Sequence, residues 1–165
     1  MNSSIKNWII NASPIISLSR IGASDIILQL YPEILIPYGV YEEINSYSFN
    51  DKAKEWVSIL NKRHLVSTEI VPLIASWDLG KGESQVLSLA YNFKDHGVIL
   101  DDKPARNCAN VYNIPLHGTI GLLIRAKQQS IIEDLESYLI ALKRSGFRLT
   151  DNIVKKAIAI SLVNS

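Results

Sequence analysis

Cysteine is almost absent from this chain. The one cysteine, Cys108, excludes an internal disulfide framework and a cysteine-based zinc cluster. Histidine is scarce as well. His64, His96 and His117 lie far apart, and none has the i, i+4 spacing of a helical zinc site. Each reads as a structural or surface residue, and Cys108 as a small core residue. No apolar run approaches the roughly 18–20 residues of a membrane span. Trp8-Ile9-Ile10 is too short for the apolar segment of a signal peptide, and Asn11 ends it. These absences lead to the expectation of a soluble, cytoplasmic protein. Charge of one sign is missing too: a net charge of +1 neither demands nor excludes nucleic acid. There is no low-complexity segment and no internal repeat.

What remains is ordinary globular material. The 165 residues suit one domain over 1–165, and a hydrophobic fraction of 47% is enough to bury a core. Trp8-Ile9-Ile10 reads as the first strand. Ser13 then caps a helix with Pro14 at its first position, and Gly22 stops it. A short helix covers Asp25–Tyr31. Ile34-Leu35-Ile36 is the second strand, closed by Pro37. Tyr38 to Ser46 is helical, with Val40, Tyr41 and Ile44 on its apolar side. Glu43 lies at the edge of that side, and Glu42 points to solvent.

Ala53, Trp56, Val57 and Leu60 fall at i, i+3, i+4, i+7 in an amphipathic helix over Asp51–Arg63. Leu65-Val66 and its neighbours read as a third strand, followed by a connection with an apolar piece at Val71–Ala75. The next helix spans 83–93. Glu83 shares its core-facing stripe with Val86, Leu87 and Ala90, so its carboxylate should meet strand ends rather than bulk water. A helix-dipole role explains an acid in the first turn but not its face. The glycines at 80 and 82 lack the G-x-x-x-x-G-K-[ST] pattern of a phosphate loop.

Val98-Ile99-Leu100 is a strand buried on both faces, and Asp101 and Asp102 stand at its mouth. Alone, such a pair reads as a solvated turn. A helix follows through Cys108, Ala109 and Val111, and then a short strand over Ile114-Pro115-Leu116-His117, which Pro115 assigns to an edge. Gly118-Thr119 caps a helix over Ile120–Gln129. A C-terminal helical pair occupies about 131–163. Gly146 stops its first member, in which Glu133, Asp134 and Glu136 come early and Lys143 and Arg144 late. Thr150 or Asp151 caps the second, and the pair reads as a packing element rather than part of a site. The alternation of strand and helix predicts a three-layer α/β/α sandwich. Its central, mostly parallel sheet should have about five strands.

The polar groups at strand carboxyl ends and adjoining helix starts are Asn11, Glu43, Glu83, Asp101 and Asp102. Ligands of parallel sheets bind at those ends. Four carboxylates in one cleft repel one another unless a cation neutralises them. Oxygen ligands favour Mg²⁺ or Mn²⁺ over zinc, and such ions promote in-line attack on a phosphodiester. A receiver-like signalling domain would want its acidic pair after the first strand, where this chain has Asn11-Ala12.

Six stretches, in order, resemble the PIN-domain family, in particular its predicted nucleic-acid-binding members of unknown function. They run from Ile10 to Leu18, Ile36 to Ile44, Leu79 to Glu83, Ile99 to Arg106, Gly118 to Leu123, and Gly146 to Asp151. The resemblance implies a PIN-like fold and a metal-dependent ribonuclease acting on single-stranded RNA. It maps the family's acidic positions onto Glu43, Glu83 and the Asp101/Asp102 pair, with Asp102 favoured as the ligand. Asn11 stands where the family normally has its first acid. An amide oxygen still binds a hard cation but brings no charge, so metal should bind less tightly. Ser13 matches a hydroxyl that holds the first ligand or a bound water. Thr119 matches a polar residue near the last strand, and Arg106 is a candidate phosphate contact or a surface ion pair. The resemblance also implies the toxin of a toxin–antitoxin pair, a small antitoxin partner and a homodimer. The alternative is a weakened module that binds RNA or a protein without cutting.

Overall fold

The computed structural model describes residues 4–46, 48 and 51–163. Strand β1 (Asn7–Ile10) starts the chain's core: Ile9 and Ile10 are fully buried, worth about 1.5–3 kcal/mol each. Helix α1 (Ala12–Arg20) begins directly after Asn11, and α2 (Asp25–Leu30) follows Gly22, whose φ of 71° lets the chain leave α1. Asn11, not Ser13, holds the N-cap position, with extended backbone and no side-chain cap bond. Pro14 is the third helical residue, where its missing N–H is still no loss.

Strand β2 is Ile36–Pro37, so Pro37 ends the ladder from within it rather than closing it from outside. Helix α3 is Tyr38–Ser46, and α4 is Asp51–Ser58. The predicted helix to Arg63 stops five residues early, because Asn61 accepts a hydrogen bond from the Arg63 amide and starts a 3₁₀ turn over Lys62–His64. Strand β3 is Leu65–Val66, and the apolar piece after it forms a one-turn helix, α5 (Pro72–Ala75).

Helix α6 runs Lys81–Asn92, starting two residues before its predicted first turn, and β4 is His96–Ile99. Leu100 is buried but lies past the ladder. Helix α7 (Lys103–Val111) is capped by Asp102, and β5 is Leu116–His117. Helix α8 is Thr119–Gln128. Helix α9 begins at Leu135, not 131, because Asp134 accepts the Ser137 amide and so caps it. Helix α10 is Asp151–Val163, with Thr150 Oγ1 accepting the Ile153 amide.

Every pairing is parallel. A three-stranded sheet has the order β1-β4-β5, and β2 pairs only with β3. A single bridge, Ile9 to Leu35, joins the two. The central sheet therefore has three strands instead of about five. Two-residue strands ending in a proline cannot extend the ladder. Helix α6 packs on β1, β2 and β4 beside α3, α5 and α7, while α8 packs with α2, α9 and α10. This is the three-layer α/β/α arrangement. Read across the bridge, the order is β3-β2-β1-β4-β5, and it reverses direction between β1 and β4. That reversal is where open parallel sheets bind their ligands.

Candidate metal and nucleic-acid site

Register sets the site. Ile10 lies level with Ile99, and Ile99 with His117. The chain therefore leaves all three strands at one height: Asn11, Leu100 and Gly118 are level, and Asp101 stands one residue beyond. The Asn11 amide donates to the Ile99 carbonyl at 3.1 Å, and Leu100 N donates to His117 O at 3.0 Å.

Asn11 is 1% exposed. Its Nδ2 donates to Glu83 Oε1 at 3.0 Å, while its Oδ1 is buried with no hydrogen-bond partner among the described residues. An orphaned buried acceptor costs on the order of 1–3 kcal/mol. Gly82 explains what stands around it. A Cβ there would lie 2.9 Å from Glu43 Oε2 and 3.3 Å from Asn11 Oδ1. The absent side chain thus leaves room for an amide oxygen and two carboxylates around the start of α6. Burial, and then the neighbouring Glu83 charge, push the Glu43 carboxyl above its usual range. Gln85 aligns the two helices: it is buried, and its Oε1 accepts the Gly39 amide of α3 at 2.7 Å. Glu42, as expected, faces solvent, where it pairs with Lys81 at 2.6 Å. Such an exposed pair is worth about 0–1 kcal/mol.

The second acidic group sits at the end of β4. Asp101 accepts the Thr119 amide at 2.8 Å on one oxygen and the Thr119 hydroxyl at 2.6 Å on the other. It caps α8 from outside that helix, which fits Gly118 having no side chain to do so. Burial pushes the Asp101 carboxyl up; the Thr119 bonds and nearby Arg106 oppose it. Asp102 is exposed and spends one oxygen on the Ala105 amide at 3.0 Å. Among the described residues Arg106 is in no ion pair: its Nη1 donates to the Leu100 carbonyl at 3.0 Å.

A cleft of about 870 Å³ is lined by Ser13, Glu83, Asp101, Asp102 and Arg106, among others. A smaller one, about 320 Å³, holds Glu43, Gly82 and Glu83. Glu83 borders both, so the acidic residues form two groups meeting at its side chain. Among the described residues, no three Asp, Glu, His or Cys side chains close into a single cage. Asn11 occupies the central position with an amide, and Asp101 turns toward Thr119. The donor set still suits a hard cation: all oxygen, with the orphaned Asn11 Oδ1 beside Glu43.

Sequence reasoning did not find Gln85, Gly82, or the cleft wall formed by Arg20, Ser145, Gly146, Phe147 and Arg148. The α9–α10 turn therefore belongs to the cleft, although the helical pair read as packing only. The amphipathic pattern describes the faces of helices and is silent about the turn between them. The histidines are structural. His64 Nδ1 contacts the Ile34 carbonyl, and His96 contacts Asp95 and Asn7. His117 Nδ1 donates to the Gly118 carbonyl, which leaves Nε2 to accept the Tyr31 hydroxyl at 2.7 Å. Cys108 is buried, as expected, and burial raises its thiol pKa. Among the described residues, no helix is long and apolar enough to cross a membrane.

A family model described as a PIN domain matches residues 7–162. No curated protein and no solved structure matches the chain.

Proposed function

Because this chain belongs to the PIN-domain family, generally one of Mg²⁺-dependent nucleases, we propose that it is a metal-dependent ribonuclease that hydrolyses single-stranded RNA. The observation that carries the reading is the Asn11 oxygen, buried without a partner beside Glu43 where the strand order reverses. Asn11, Glu43, Glu83 and Asp102 would hold Mg²⁺ or Mn²⁺. When bound, the ion supplies charge neutralisation and Lewis acidity at the scissile phosphate. Asp102 offers the oxygen that its helix cap leaves free. Asp101 acts as a positioning residue: its bonds to Thr119 lock the start of α8 against the end of β4. Ser13 is exposed on the cleft wall, where its hydroxyl can hold a water. Arg106 bears part of its charge toward the same cleft.

One observation favours a second reading. The Asn11 amide already donates to Glu83, so one carboxylate oxygen is held by a protein hydrogen bond and the central position adds no negative charge to draw a cation. In that reading the protein binds RNA or a partner without cutting. The test is cleavage of a labelled single-stranded RNA with Mn²⁺, beside EDTA and Asp102→Asn controls. Cutting that needs metal and is lost in the variant supports the nuclease. If there is no cutting and Asn11→Asp does not restore it, the binding module stands instead. The toxin role, with a small antitoxin and a homodimer, belongs to the same proposal. Growth arrest on induced expression, relieved by a co-expressed antitoxin, would support it, and harmless overexpression would remove it.

A further inference from the structure

The large cleft has a half that the acidic site does not use. Its wall is the turn after α9, together with Arg20 from the last turn of α1. That turn is built rigidly. Gly146 has φ 100° and donates to the Lys143 carbonyl at 3.2 Å, while Phe147 N donates to Leu142 O at 3.1 Å. These two bonds form a Schellman motif, which sets the direction in which the chain leaves the helix. Phe147 packs its inner side on the core and keeps its outer side on the cleft. Arg148 follows and is exposed. Neither it nor Arg20 is in an ion pair among the described residues. The helix dipole accounts for an arginine at the end of α1, but not for Arg148, which lies beyond α9 in the turn.

An aromatic side chain and two guanidiniums without an ion pair among the described residues, lining one cleft with three carboxylates, are a combination suited to a nucleotide. We propose that Phe147, Arg148 and Arg20 form a subsite for one unpaired nucleotide of single-stranded RNA beside the acidic centre. The base stacks on the Phe147 ring, and its flanking phosphates meet Arg148 and Arg20. Stacking on an aromatic side chain requires a splayed base, which a duplex does not offer. A cleft of about 870 Å³ lies in the range that encloses a ligand of nucleotide scale. The assignment rests on the nuclease reading and names where its substrate lies.

The experiment is fluorescence anisotropy of a labelled single-stranded oligoribonucleotide with the purified protein in EDTA, across a salt series. Phe147→Ala is expected to weaken binding about ten- to a hundred-fold, and Phe147→Trp to preserve it. Arg148→Ala and Arg20→Ala should each lower the salt slope by about 0.7. A duplex of the same length should bind more weakly. Since Phe147 touches the core, the exposed Arg148 provides a variant that leaves folding intact. Unchanged binding and slope in both arginine variants, while Asp102→Asn still abolishes metal-dependent cleavage, would overturn the subsite and leave the nuclease standing. Equal binding of duplex and single strand would overturn the stacking assignment. No binding by the wild-type protein at any salt would remove the subsite, and metal-dependent cutting in the parallel assay would then decide the nuclease reading separately.

Discussion

Asn11 spends one end of its amide on Glu83 and leaves the other unpaired in the interior. Asn11→Asp exchanges a donated hydrogen bond for a third negative charge. The metal-free protein should lose about 1–3 kcal/mol of stability, while Mn²⁺ should raise its melting temperature more than it does in the native protein. Calorimetry with and without Mn²⁺ checks both signs, and an equal Mn²⁺ response in the two proteins would refute the placement of Asn11. His117, on the wall of the same cleft, allows a pH prediction of its own. Burial, opposed by its bond to Gly118 and aided by Arg125 and Arg106, pushes its pKa down to about 4 from 6.5. The unfolded chain therefore binds the extra proton first. Stability should fall as pH drops from 6.5 toward 4, by up to about 3 kcal/mol. His117→Gln keeps an acceptor for Tyr31 and should flatten that fall in urea midpoints measured across the range.

Among the elements, α6 organises the site. Its first turn carries Gly82 and Glu83, and its second uses Gln85 to hold α3, from which Glu43 reaches across. Gly82→Ala places a methyl 2.9 Å from the movable end of Glu43 and 3.4 Å from Val40 Cγ2. Glu43 can swing aside and alanine favours the helix by about 1 kcal/mol, so the melting temperature should change little. The Mn²⁺-induced stabilisation should instead shrink, because the displaced carboxylate no longer faces Asn11. Isothermal titration with Mn²⁺ measures this directly; undiminished affinity would show that the cation does not use this gap.

For the whole molecule, the pairing of β1 with β4 is the seam that brings the acidic groups together. Gly97 lies opposite Trp8 in that seam, and a Cβ there would come within 2.6–2.9 Å of the indole ring. The ring is hemmed in by Tyr31, His117 and Arg125. Gly97→Ala should therefore cost about 1–3 kcal/mol, which for a chain of this size lowers the melting temperature by several degrees. The loss should appear equally in near- and far-ultraviolet dichroism, since one contiguous core spans the sheet. A partial transition confined to the β2–β3 pair would argue against that cooperativity.

Helical periodicity and short apolar runs were enough to place most helices and to locate the strands to within a few residues, because helix faces repeat at 3.6 residues and strands buried on both faces are continuously apolar. The helical period also put Glu83 on an inward face, where it bonds Asn11. Local caps were harder to read: Asn61, Asp134 and Asn11 shifted helix limits through single hydrogen bonds and backbone angles that carry no period. Three things depended on tertiary structure: the register that brings Asn11 level with Leu100, one residue before Asp101, the split of the acids around Glu83, and the return of Phe147 and Arg148 to the cleft. Each depends on contacts between residues far apart in the chain, and their free energy exists only once the strands have paired.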